Sequence, residues 1–95
     1  PIAIMSLESA RQEIDAIDRE LIRLLNQRAE RVHAIGEIKR KDGLDVYVPG
    51  REEQLLRKLV ALNQEQGGLL TEKAVRSIYR EIMSAALALE SGMKI

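Results

Sequence analysis

Apolar residues in the first forty positions recur at intervals of three and four, which predicts one long amphipathic helix. Ser6 is placed to cap its N-terminus, and Glu8 lies in the first turn, where a negative charge suits the helix dipole. At about 1.5 Å per residue, about 35 residues form a rod on the order of 50 Å long. The repeating positions are Leu7, Ala10, Ile14, Ile17, Leu21, Leu24, Leu25, Val32, Ile35 and Ile38.

Two shorter helices follow this rod. Pro49 suits the first turn of the second helix, and the glycine pair at 67–68 ends it. Thr71 is the predicted N-cap of the third helix. The chain contains no period-two pattern of a strand. The sequence therefore predicts an all-α fold of three helices in a single domain, 1–95, with an ordered core at about 6–91. The predicted core positions of the third helix are Val75, Ile78, Ile82, Ala86 and Leu89.

Composition narrows the class of protein. Fifteen basic and fifteen acidic residues give a formal net charge of zero, whereas a nucleic-acid binder normally has a basic excess. There is no cysteine, so neither disulfides nor thiolate metal sites can hold the fold. No apolar run approaches the roughly 20 residues of a membrane span, and a cytoplasmic protein is expected.

A chain of 95 residues cannot easily cover both ends of the rod, which predicts a partner chain.

Cations interrupt the apolar stripe of the long helix. Arg28 and Arg31 occupy heptad positions that are otherwise apolar. Arg28 and Lys39 are eleven residues apart, close to three turns, so both point the same way with roughly 16 Å between them along the axis. They could be structural, with Arg28 paired to an acid and Lys39 reaching solvent. An anionic ligand is the simpler partner, because buried cations are costly unless paired and arginine grips a carboxylate bidentately.

Arg11 lies about 25 Å from Arg28 along the same helix, too far for both to hold one small ligand within a chain. In an antiparallel pair of long helices, Arg11 of one chain can approach Arg28 of the other. Two equivalent sites per homodimer, each built from both chains, would result. Taken alone, Arg11 is equally well explained as a solvated surface charge.

Three further residues have both a structural and a functional interpretation. Arg51 adds positive charge to the N-terminus of the second helix, which is an anion site by itself, and Glu52 can accept a hydrogen bond from a hydroxyl. Glu52 is also ordinary first-turn chemistry. Glu90 continues a stripe of Tyr79, Met83 and Ala86 on the third helix, where it is either a solvated helix end or a carboxyl group held neutral by burial. From spacing alone, a solvated helix end is the simpler interpretation of Glu90.

Several motifs, taken in their order along the chain, resemble those of one protein family. These are Arg11-x-x-Ile14-Asp15-x-Ile17-Asp18, Leu24-Leu25-Asn26-Gln27-Arg28, Ile35-Gly36-Glu37-Ile38-Lys39, Tyr47-Val48-Pro49-Gly50-Arg51-Glu52, and the run from Ile78 to Glu90. From about Leu7 to Glu90 the chain resembles the AroQ-type chorismate mutases. It is most similar to the N-terminal mutase domain of bifunctional chorismate mutase–prephenate dehydratases, which implies that the full-length protein can carry a dehydratase domain.

The resemblance implies an intertwined all-helical homodimer that converts chorismate to prephenate, an intramolecular rearrangement, without metal or organic cofactor. Arg28 and the partner's Arg11 would bind the two carboxylates, with Arg51 assisting. Lys39 would donate to the ether oxygen and a carboxylate, and Glu52 would accept from the ring hydroxyl. Glu90 would be the second donor to the ether oxygen.

The sequence departs from the family pattern at three positions. Glu90 stands where many members have Gln, and a carboxyl group can donate only when it is protonated. Activity is therefore expected to decline as the pH rises. Val48 stands where some members have Asp, which leaves only a backbone contact to substrate. Ala86 falls where a Ser can contact a carboxylate, so this contact is absent or is made by Ser84 or water.

Two other functions fit the same residues. An isochorismate pyruvate lyase would share the fold and the cations, although its relatives usually have a shorter lysine-containing loop than the connection from Gly43 to Pro49. A non-catalytic dimerisation module would use the long helix only as a coiled-coil seam, with the seam cations paired to protein acids. A substrate assay separates these alternatives.

Overall fold

The computed structural model describes residues 6–91, which form three helices. Helix α1 runs Leu7–Asp42, α2 Arg51–Glu65 and α3 Glu72–Glu90. The prediction of three helices, the first far longer than the others, is confirmed. The chain divides into two units, Pro1–Arg31 and Val32–Ile95, and α1 contributes residues to both.

The first unit is the N-terminal part of α1. Ser6 caps the helix as predicted, because its Oγ accepts a hydrogen bond from the backbone N–H of Ser9 at 3.1 Å. The apolar stripe of this part is exposed in the single chain, with Ile14 at 55% and Leu21 at 50%. A contiguous apolar face of this kind indicates an interaction surface, since monomeric proteins rarely leave one uncovered. Its exposed members are Leu7, Ile14, Ile17, Leu21, Leu24 and Leu25.

The second unit contains the end of α1 together with α2 and α3. Helices α2 and α3 pack against each other. Among the described residues of this unit, the buried apolar side chains are Val32, Leu56, Val60, Val75 and Met83. All five are aliphatic, as expected from a chain without Phe or Trp.

The core of α3 differs from the predicted one. Val75 is buried as expected, but Ile78 is 47% exposed and Met83 takes its place in the interior. The spacing of Val75, Tyr79 and Met83 is four residues each time, so these side chains follow one face of α3. Sequence periodicity fits two adjacent stripes equally well, and the folded chain buries the one that includes Met83.

Turn chemistry fixes the start of α3 and the connection before it. Thr71 is the N-cap as predicted, and its Oγ1 accepts from the N–H of Ala74 at 3.1 Å. Gly67 and Gly68 end α2 as predicted: their N–H groups bond to the carbonyls of Gln64 and Asn63 at 3.0 and 3.2 Å.

Helix α2 begins later than predicted. Gly50 is its N-cap with φ 88°, a left-handed conformation, so the helix starts at Arg51 and Pro49 lies in the preceding turn. The prediction that Pro49 belongs to the first turn is wrong for this reason. Arg51 and Glu52 consequently become the first two helical residues, at the positive end of the helix dipole.

Candidate functional site

A reversal of the chain at the end of α1 positions Lys39. The N–H of Leu44 bonds to the Lys39 carbonyl at 2.8 Å, and the N–H of Gly43 bonds to the Arg40 carbonyl at 3.4 Å. This pattern requires a left-handed residue after the helix, and Gly43 adopts φ 69° at no steric cost. The returning chain brings the Val46 carbonyl oxygen to 3.0 Å from Lys39 Nζ, which donates to it.

The second partner of Lys39 is Glu90, in the last turn of α3. Lys39 Nζ donates to Glu90 Oε2 at 2.9 Å, and the two side chains are only 22% and 18% exposed. Both interpretations that leave these residues in solvent are therefore wrong: Lys39 does not reach into water, and Glu90 is not a solvated helix end. Glu90 lies close to the inward-facing stripe of Val75, Tyr79 and Met83, which explains its partial burial.

The arrangement leaves Lys39 with unused capacity. An ammonium group has three N–H donors, and the Val46 carbonyl and the Glu90 carboxylate accept two of them. Among residues 6–91 the third proton has no acceptor, so it is available to a ligand. A cation fixed by two hydrogen bonds in this way is suited to bind a carboxylate or an ether oxygen.

The backbone of Glu90 is in contact with α1 as well. Arg40 Nη1 donates to the Glu90 carbonyl oxygen at 2.5 Å, and the buried Gly36 faces the same residue. Sequence reasoning missed Arg40, the Val46 carbonyl and the contact of Gly36. The one available signal was a glycine in the interior of a long helix, which usually marks a close approach.

Three predicted site residues lie in the connection that follows α1 or in the first turn of α2. Val48, Arg51 and Glu52 are all exposed. The Val48 carbonyl accepts from the N–H of Arg51 at 3.3 Å, so this carbonyl is part of the turn. The N–H of Val48 is the backbone group left for the predicted contact with a substrate. No ion pair within residues 6–91 involves Arg51 or Glu52.

The same end of α2 is tied to α3 by a charge network. Arg76, whose side chain is 21% exposed, donates from Nη1 to both carboxylate oxygens of Glu53 at 3.2 and 3.3 Å. Arg76 also pairs with Glu72 at 3.0 Å, and Arg57 pairs with Glu53 at 3.2 Å. The hydrogen bonds from Arg76, followed by its charge and by Arg57, hold the pKa of Glu53 below its usual 4.5.

This network predicts an acid-dependent loss of stability. Because the pKa of Glu53 is lower in the folded than in the unfolded chain, its stabilising effect is present above the unfolded value and disappears as the pH falls through the folded one. Glu53→Gln is expected to lower the urea midpoint at neutral pH and to match the parent protein in acid. The measurement is urea unfolding followed by circular dichroism across this pH range at one protein concentration.

The matched control is Glu81→Gln, which removes one exposed acid from α3. Glu81 makes no ion pair within residues 6–91, so its variant should follow the parent protein at every pH. A difference between Glu53→Gln and the parent that persists unchanged into acid would contradict the assignment.

Arg11 and Arg28 belong to the first unit. Arg11 is exposed and Arg28 is partly exposed. Neither forms an ion pair within the part of the chain that the structure describes, so the interpretation in which Arg28 pairs with a protein acid finds no support. By helical rise the two arginines are about 25 Å apart, and they cannot hold one small ligand within a chain. Between Ser6 and Ser91, no group of three His, Asp or Glu side chains is arranged to hold a metal ion.

Comparisons with known proteins agree on one family. The sequence model of chorismate mutase type II matches residues 10–91. The bifunctional chorismate mutase/prephenate dehydratase of Aquifex aeolicus is 48% identical over 90 residues, covering 94% of this chain and 25% of that protein. The protein of the same name from Neisseria gonorrhoeae is 45% identical over 85 residues, covering 90% and 22%.

A solved structure gives the same result. Chorismate mutase (Form II) from Thermus thermophilus matches with a TM-score of 0.82 at 37% identity, covering 88% of this chain and 92% of that chain. Against the curated relatives, by contrast, the chain spans about a quarter of their length. No helix among the described residues is long and apolar enough to cross a membrane.

Proposed function

Since the chain belongs to the chorismate mutase type II family, we propose that it catalyses the rearrangement of chorismate to prephenate. One observation supports this site as the place of the reaction. The Lys39 ammonium donates to Glu90 and to the Val46 carbonyl, and its third N–H is left for a ligand. The first test is direct turnover of chorismate by the purified protein. Loss of isochorismate with release of pyruvate would instead identify a lyase, and binding without turnover a non-catalytic module.

The reaction is an intramolecular Claisen rearrangement, so it needs neither a nucleophile nor a net proton transfer. Two contributions remain for the protein. It must hold the reactive diaxial conformer of the substrate, and it must stabilise the negative charge that develops on the breaking ether oxygen. Fixed cations in a partly desolvated site supply the second contribution, because they need no reorganisation as the charge develops.

Lys39 is the proposed donor to the ether oxygen and a substrate carboxylate. Its ammonium is limited to one orientation by two hydrogen bonds to different parts of the chain, the Val46 carbonyl and Glu90. The energetic cost of orienting this long side chain is therefore met during folding and not on substrate binding.

Glu90 is the proposed second donor, and its role depends on its proton. Without substrate it accepts a hydrogen bond from Lys39, and it can donate to the ether oxygen only when its carboxyl is protonated. Among residues 6–91, the charged side chains that form hydrogen bonds with Glu90 are Lys39 and Arg40, both from α1. Gln at this position would donate at every pH.

We expect the activity of the parent protein to fall as the pH rises and Glu90 loses its proton. Glu90→Gln should keep its activity at high pH, because the amide N–H₂ donates regardless of pH. The measurement is kcat/KM against pH for both proteins. Glu90→Ala, which has no donor, should be slower than Glu90→Gln by roughly 100-fold at all pH values, and its difference from the parent should shrink as the pH rises. Equal pH profiles in the parent and in Glu90→Gln would exclude the donor role.

The remaining roles are proposed from the resemblance. Arg28 and the partner's Arg11 would bind the substrate carboxylates with Arg51 assisting, Glu52 would accept from the ring hydroxyl, and the Val48 backbone would line the site. The exposure of Arg51, Glu52 and Arg11 in the single chain leaves them available to a ligand.

A homodimer is part of the proposal. The apolar stripe of α1 is exposed along the single chain, and a second copy with the same stripe would cover it by an isologous contact. This arrangement supplies Arg11 in trans.

The names of the Aquifex aeolicus and Neisseria gonorrhoeae relatives also support a prephenate dehydratase region in the full-length protein. A cytoplasmic location stays a prediction.

A further inference from the structure

The last residue of α3 lies unusually close to α1. Gly36 is buried, and a Cβ atom added to it would overlap the carbonyl oxygen of Glu90 and lie 2.8 Å from its Cα. These are backbone atoms, which cannot rotate away as a flexible side chain can. Glycine in a helix interior is unfavourable relative to alanine, so its presence here is explained by this approach of α3.

A second contact holds the same peptide group. Arg40 Nη1 donates to the Glu90 carbonyl at 2.5 Å. This carbonyl is one of those at a helix C-terminus that lack an intrahelical partner, where a positive charge is also favoured by the helix dipole. Ser91 contributes locally, since its Oγ donates to the Leu87 carbonyl at 2.9 Å.

The residues that touch Glu90 occupy one face of α1. Gly36, Lys39 and Arg40 are spaced i, i+3 and i+4, the positions that share a face of an α-helix. Gly36 and Arg40 contact the backbone of Glu90, while Lys39 contacts its carboxylate. The side-chain pair therefore depends on the backbone register that the other two residues set.

We infer that Gly36 and Arg40 are positioning residues, which fix the end of α3 on α1 so that the Glu90 carboxyl meets Lys39. This inference rests on the proposed function of the Lys39–Glu90 pair. Neither residue needs to touch the substrate. They act on catalysis through the position of the Glu90 carboxyl. A displacement of about 1 Å at a reacting group can lower the rate by a factor on the order of 100.

Gly36→Ala is expected to lower kcat by about 10- to 100-fold with little change in KM, because the donor moves and the carboxylate-binding cations do not. The pH profile of kcat should flatten in the same variant, since Glu90 no longer contributes. Adding Glu90→Gln to Gly36→Ala should cause no further change. Helix content by circular dichroism confirms that the variant is folded.

Arg40 provides a second test that leaves the packing of Gly36 intact. Arg40→Met should lower kcat in the same way, and Arg40→Lys should restore part of it by keeping a donor. The matched control is Lys41→Met, the neighbouring exposed cation. The Lys41 side chain forms no hydrogen bond within residues 6–91, so this variant should behave as the parent.

A readout without substrate separates this inference from the proposed function. The ¹³C chemical shift of the Glu90 carboxyl, measured at one fixed pH, should differ in Gly36→Ala and Arg40→Met from its value in the parent and in Lys41→Met, because the carboxyl has left Lys39 Nζ. If the parent does not turn over chorismate while these chemical shifts differ, the function is wrong and the positioning role stands. Unchanged chemical shifts and an unchanged pH profile of kcat in both folded variants would overturn the positioning role.

Discussion

Lys39→Ala is expected to reduce kcat/KM for chorismate by about 100- to 1,000-fold, the usual effect of removing one preorganised donor to a developing oxyanion. The loss should fall mainly on kcat, because Lys39 donates to the ether oxygen, whose charge grows only in the transition state. The measurement is steady-state turnover at several chorismate concentrations. Circular dichroism establishes that the variant, whose Glu90 has lost its ion-pair partner, is still folded.

Lys58→Ala is the matched control. Lys58 is an exposed lysine on α2, so its removal changes the net charge by the same amount without touching the site. Its kinetics should equal those of the parent. If the folded Lys39→Ala protein kept the parent rate, the assignment of Lys39 as the central donor would be untenable.

Arg28→Ala and Arg11→Ala are each expected to lower kcat/KM by about 100-fold or more, because each removes a charge-assisted partner of a substrate carboxylate. Their combination is more informative. The two inactive proteins, unfolded in urea and refolded together in equal amounts, should recover about a quarter of the parent activity if each site takes its arginines from different subunits of an isologous dimer.

The recovery follows from the composition of the mixed dimers. Half of the dimers contain one chain of each kind, and one of their two sites has lost both arginines while the other has lost neither. The matched control mixes Lys39→Ala with Glu90→Ala. These residues meet within one chain, so every site of the mixed dimers lacks one of them and no activity should return. Absence of recovery with the arginine pair would mean that Arg11 does not act across an interface.

Local structure follows from the sequence because its determinants are local. The extent of α1, the caps at Ser6 and Thr71, and the glycine pair after α2 are all predicted from neighbouring residues and are confirmed. The family resemblance is confirmed as well. The predicted start of α2 is wrong because Gly50 can be either a helical residue or a left-handed cap, and neighbouring residues do not distinguish the two.

The site is harder to predict because its contacts are distant in the chain. Lys39 and Glu90 are 51 positions apart, and periodicity within either helix says nothing about their encounter. Spacing alone favours a solvated Glu90, and only the resemblance points to a role for it. The Val46 carbonyl gives no signal in a sequence, since every residue has one, and it becomes a partner of Lys39 only through the reversal at Gly43.

The most direct measurement is turnover by the unmodified protein. Purified chain is incubated with chorismate, and the loss of chorismate and the formation of prephenate are followed together, with Lys39→Ala in parallel. We predict saturable, stoichiometric conversion to prephenate that collapses in the variant. Loss of chorismate at no more than its uncatalysed rate, by a protein shown to be folded and dimeric, would contradict the proposed function.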